Sequence, residues 1–144
     1  MNVPMRTITL IILHCSASRC NRRYSFEQCR NDHVRINHWK DIGYHYYVEQ
    51  DGTIYRGRPE DAVGAHCKNH NQHSIGVCYE GGLSESGQPA DTRTEEQKTS
   101  LRQIIFALHC RYPHALIVGH RDLNPMKACP CYDAVTAYRE LQPK

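Results

Sequence analysis

The 144-residue sequence has one Trp and two Phe, no apolar run of membrane-spanning length, no internal repeat, no low-complexity tract and no CxxC pair. Each absence removes a class of protein. Without roughly 20 consecutive apolar residues there is no membrane-spanning helix, so no membrane insertion is expected. Without repeats or a linker the chain reads as one domain over residues 1–144. Without paired CxxC spacing it does not resemble a closed four-ligand zinc module of the kind that binds nucleic acid. No signal peptide is expected either, because the apolar stretch TITLIIL (7–13) is short for one and is read as having no cleavage site after it. Charge of one sign is scarce as well, with a formal net charge of only +3. The single compact basic group, Arg19, Arg22 and Arg23, reads as a solvated loop, and no nucleic-acid partner is expected.

What is present is ordinary for a soluble domain: 40% hydrophobic and 23% charged residues. A chain of this size buries roughly 68–70% of its unfolded surface. The eight cysteines therefore need not be a disulfide framework. Cys78 in SIGVCYEGG and Cys110 in IIFALHCRYP lie inside apolar patterns, where free Cys behaves as a small hydrophobe. Reduced thiols, made in a cytoplasm, fit this usage.

RTITLIILHCSAS predicts a buried strand ending near His14, and SFEQCRNDHVRINHWKDIG a helix capped by Ser25 and Gln28, with Gly43 just past its end. YHYYVEQDGTIYRGR predicts a hairpin about Asp51-Gly52. HSIGVCYEGG is another buried strand. TEEQKTSLRQIIFALHCRY is a helix with a Thr94/Gln97 capping box and Leu101, Ile104, Ile105 and Leu108 on one face. ALIVGH is a strand and YDAVTAYRELQ a last helix. Strands alternating with helices, plus one hairpin, predict a single α/β domain with a central mixed sheet flanked by helices.

His14 and His120 each follow an aliphatic strand, directly or after one Gly. In open α/β sheets ligands sit outside the carboxyl ends of strands, where these imidazoles can meet. Cys129, one short loop beyond His120, offers a third donor, and Cys131 competes with it. Two His and one Cys suit Zn²⁺ and leave its fourth position to water, the arrangement of a catalytic rather than a structural site. Zinc lowers the pKa of water and polarises carbonyls, so the implied chemistry is hydrolysis in a zinc cleft at the strand ends.

ILHCSAS, DIGYHYYVEQDGTIYRGR, VGAHCKNHNQHSIGVCYEGG and GHRDLNPMKACPCYD, in this order over about residues 7–140, resemble the zinc-dependent N-acetylmuramoyl-L-alanine amidases. That family includes the phage T7 lysozyme type and the peptidoglycan recognition proteins. The resemblance implies one catalytic zinc ion held by His14, His120 and Cys129, the last because it directly precedes Pro. It implies Tyr44 and Lys127 as catalytic residues and His66 as a substrate contact in the same cleft. Lys127 would stabilise an oxyanion, and Tyr44 would orient water or pass a proton.

His45, alternating with Tyr44, is expected to be structural. Asp122 either holds a ligand imidazole or caps its loop. Trp39 is read as core rather than as a sugar platform, and His70 and His73 receive no role. The expected function is hydrolysis of the amide between N-acetylmuramic acid and L-alanine of peptidoglycan. The alternatives are a non-catalytic peptidoglycan-binding module of the same fold and an amidase acting on soluble muropeptides. A monomer is expected, made in the cytoplasm and reaching the wall by lysis, a holin or dedicated secretion.

Overall fold

The computed structural model describes residues 6–144. Its strands are β1 (Leu10–Cys15), β2 (Ser18–Arg19), β3 (Tyr46–Val48), β4 (Ile54–Arg56), β5 (Ser74–Tyr79), β6 (Gly82–Leu83) and β7 (Leu116–Gly119). The α-helices are α1 (Phe26–Asn31), α2 (Glu95–Arg111), α3 (His120–Leu123) and α4 (Ala134–Ala137). The main sheet has the order β4-β3-β5-β1-β7. β3, β5, β1 and β7 run parallel, and β4 pairs antiparallel with β3. The expected mixed sheet flanked by helices is therefore present.

β1 lies inside the sheet, between β5 and β7, and LIILHC is apolar on both faces, as a strand covered on both sides must be. Strand parity then divides its residues. Ile11, Leu13 and Cys15 join Ile75, Val77 and Tyr79 of β5, Tyr46 and Val48 of β3, and Leu101, Ile104, Ile105 and Leu108 of α2 in one large core. His14 alternates to the opposite face, where its neighbour in register is Cys78 of β5. On that face Cys78 and Tyr47 meet Cys29 of α1 in a smaller cluster. The thinner cover on this side leaves room for a cleft.

The hairpin turns where expected. Gly52 N–H donates to Glu49 O, Glu49 N–H donates to Thr53 O, and Gly52 takes φ +88°. This is the three-residue loop that ends in a left-handed Gly. Thr94 and Gln97 form the capping box of α2, and the Gln97 amide reaches on to donate to the carbonyls of Val48 and Glu80.

Three expectations change. The helix begun at Ser25 stops well before Gly43: α1 passes into a π-helical turn over Asp32–Ile36, and His38 adopts φ +60°. Arg58 draws the following segment away by donating to the carbonyls of Ile42 and Asp41. The last helix is a single turn followed by a 3-10 turn, Arg139–Leu141. Cys110 is exposed, because the buried stripe of α2 runs through Ile104, Ile105 and Leu108 and position 110 falls outside it. All eight cysteines are free thiols.

The Arg19–Arg23 group is more than a solvated loop at one position. Arg23 donates to both Glu49 and Glu80, whose buried carboxylates also accept the backbone N–H groups of Phe26, Gln50 and Tyr24. This tie fastens the segment before α1 to the hairpin and to the end of β5.

Candidate metal centre

β1 delivers His14 at its carboxyl end, only 2% exposed. β7, beside it in register, delivers His120 as the first residue of α3. The two rings lie with centroids 4.7 Å apart. The returning loop brings Cys129 beneath them, pinned where Arg121 N–H donates to Cys129 O at 2.7 Å. Gly119 is needed there, since a Cβ on it would stand 2.6 Å from Pro130 Cδ. One donor atom from each of His14, His120 and Cys129 lies within 4.8 Å of the others. Cys129 Sγ is 3.8 Å from His14 Nδ1, against about 3.5 Å between nitrogen and sulfur ligands of a tetrahedral zinc ion. The donor set fits such an ion.

The electrostatics agree. Burial first, then the neighbouring His66 and His120, holds the His14 pKa well below its usual value. Burial, followed by the charge of Lys127, lowers that of His120. Both imidazoles are thus neutral near pH 7 with a lone pair to give. The Cys129 thiol is also pulled down: hydrogen bonding from Cys15 outweighs the opposing effect of burial, with Lys127 contributing further. One of these bonds is Cys15 N–H to Cys129 Sγ at 3.2 Å. Cys131 differs in each respect. It sits at φ +69°, its Sγ is 4.0 Å from Cys15 Sγ, and burial leads in pushing its pKa up to about 12.

Tyr44 and His66 line a cleft of about 340 Å³ beside the centre, together with His33, Trp39, Lys68 and Asn69. The Tyr44 ring centroid is 5.2 Å from that of His14. Burial, reinforced by the thiols of Cys78, Cys29 and Cys129, drives its pKa well above 10, so the phenol stays protonated. His66 Nδ1 is 2.8 Å from His14 Nε2, and its Nε2 is 3.2 Å from Ser74 Oγ. Lys127 is exposed in the turn after α3, near enough for its charge to act on both His120 and Cys129.

Other residues take plainer roles. His45 is structural, as expected: Nδ1 accepts from Gly76 N–H at 3.0 Å, Nε2 donates to Ala62 O at 2.8 Å, and burial lowers its pKa to about 4. Asp122 caps its loop by accepting from Gly119 N–H at 2.7 Å. His70 and His73 face one another with ring nitrogens 3.4 Å apart. Trp39 corrects the sequence reading. It lies beyond the end of the helix, half-buried, and walls the cleft with its ring 4.7 Å from that of His33. Ser74 and the Cys15 amide carry no sequence signal, because only the sheet order brings them to His66 and Cys129.

A family model described as N-acetylmuramoyl-L-alanine amidase matches residues 4–132. The endolysin of Enterobacteria phage K11 is 40% identical over 121 residues, covering 84% of this chain and 79% of that protein. The endolysin of Escherichia phage T7 is 38% identical over 123 residues, covering 85% and 80%. Among solved structures, the N-acetylmuramoyl-L-alanine amidase LysC from Clostridium intestinale superposes with a TM-score of 0.78 at 28% identity, covering 100% of this chain and 96% of that one.

Proposed function

The chain belongs to the N-acetylmuramoyl-L-alanine amidase family, and from that membership we propose that it cleaves the amide between N-acetylmuramic acid and L-alanine with one zinc ion held by His14, His120 and Cys129. It is a peptidoglycan amidase, and its substrate is the bacterial cell wall. The observation that carries the metal assignment is the convergence of two neutral imidazoles and one stabilised thiol at the carboxyl ends of two adjacent parallel strands.

Zinc bound there supplies Lewis acidity, which lowers the pKa of water and polarises the amide carbonyl. The protein's own groups do the rest. Lys127 places a positive charge where the carbonyl oxygen gains negative charge. Tyr44, kept protonated by its surroundings, donates a hydrogen bond at the reacting centre and is no free base at neutral pH. His66 borders the substrate with ring carbons, since both its nitrogens are engaged within the protein. Trp39 offers the scissile region a flat apolar wall. All three ligands come from one chain, so a monomer suffices.

Metal analysis of two variants tests the ligand set. Cys129→Ala is expected to lose zinc and activity, and Cys131→Ala to keep both. Equal zinc in the two purified variants would remove Cys129 from the site.

A further inference from the structure

A histidine's metal-binding nitrogen is set by what the other nitrogen does. His14 turns Nδ1 toward Cys129 Sγ and Nε2 toward His66 Nδ1. A short contact between two neutral imidazoles carries one proton, and it can be arranged in two ways. In the first, His14 Nε2–H donates to His66 Nδ1, and His66 Nε2–H donates to Ser74 Oγ. In the second, both bonds reverse and His14 carries its proton on Nδ1, facing the thiol. Only the first leaves the His14 Nδ1 lone pair free for a metal.

We infer that Ser74 and His66 form a polar relay that holds His14 as its Nε2–H tautomer and presents Nδ1 to the metal. This rests on the metal-centre reading above and gives His66 a positioning role distinct from contact with substrate.

The seat of His66 is built for one ring position. A Cβ on Gly76 would stand 2.6 Å from His66 Cγ, and one on Gly64 2.7 Å from its Cδ2. The His66 and Cys67 amides both donate to Asn71 Oδ1 at 2.9 Å, which fixes the backbone under the ring. Ser74 is fully buried at the start of β5. Nor does His66 serve as a fourth ligand, because its Nδ1 meets the nitrogen of His14 that faces away from Cys129. The fourth metal position stays available to water.

Zinc affinity, measured by competition with a chromophoric chelator, tests the relay in the parent, His66→Leu and His66→Asn. Loss of the acceptor in His66→Leu is expected to weaken zinc binding by about 10–100-fold, the range for removing such a partner of a ligand. His66→Asn, whose Oδ1 can stand in for Nδ1, is expected to recover most of that loss. Nitrogen-15 NMR of the zinc-loaded parent provides a reading free of mutation: His14 bound through Nδ1 with a protonated Nε2, and His66 protonated on Nε2. Zinc bound through His14 Nε2, a proton on His66 Nδ1, or parent-like affinity in His66→Leu overturns the relay and leaves the metal centre standing. A parent that takes up no zinc overturns both.

Discussion

Lys127 touches none of the three proposed ligands in a hydrogen bond, yet its charge lowers the pKa of His120 and Cys129. That separates its two effects. It tunes the centre through its charge alone, whereas a negative charge developing on a carbonyl oxygen would be stabilised directly by a cation placed beside it. Lys127→Ala is therefore expected to keep its zinc and to lose turnover by about 10²–10³-fold. Steady-state hydrolysis beside metal analysis checks this, and near-parent turnover would remove Lys127 from the mechanism. At this scale the sequence was informative about His14 and His120, because a polar residue ending an aliphatic strand has few places to go but the crevice beyond it. Spacing left Cys129 and Cys131 unresolved. What separates their surroundings is the path of the loop, which gives Cys129 the Cys15 amide and turns Cys131 toward the Cys15 thiol. Partners such as Ser74 were out of reach, since they depend on which strands become neighbours.

Elements were legible where local chemistry and burial agree. α2 has its capping box, its acidic first turn of Glu95 and Glu96, and a buried stripe, and its 17 residues fill the predicted segment between Thr94 and Tyr112. Thr94 Oγ1 accepts from Gln97 N–H and also donates to Gln50 O, joining helix and hairpin. Thr94→Ala is expected to cost about 1 kcal/mol of stability, typical of a lost N-cap, with zinc content unchanged. Urea unfolding measures it, and an unchanged midpoint would show the cap to be dispensable. Where tertiary bonds compete, the local pattern failed. Residues 38–42 had helical spacing, but Arg58 takes the carbonyls of Asp41 and Ile42, and Asp41 itself accepts from Arg30 and from the Ile42 amide. These bonds end the helix early and bring Trp39 to the cleft. The last segment is shortened similarly, with Gln142 bonding the backbone of Ile117 at both N–H and O.

At the scale of the whole molecule, one parity rule organises the protein. The residues of β1 that point one way build the core under α2, and His14, pointing the other way, opens onto the cleft. Fold class followed from the alternation of strands and helices. The cleft did not, because nothing local says that α1 is short and leaves that face thinly covered. Among the described residues no helix is long and apolar enough to cross a membrane. The most direct test is digestion of purified peptidoglycan by the zinc-loaded protein, with and without a chelator, read by mass spectrometry of the soluble products. The account predicts free stem peptides beginning at L-alanine, abolished by chelator and restored by zinc. Cleavage at a different bond, or the same cleavage undiminished in metal-stripped protein, would contradict it.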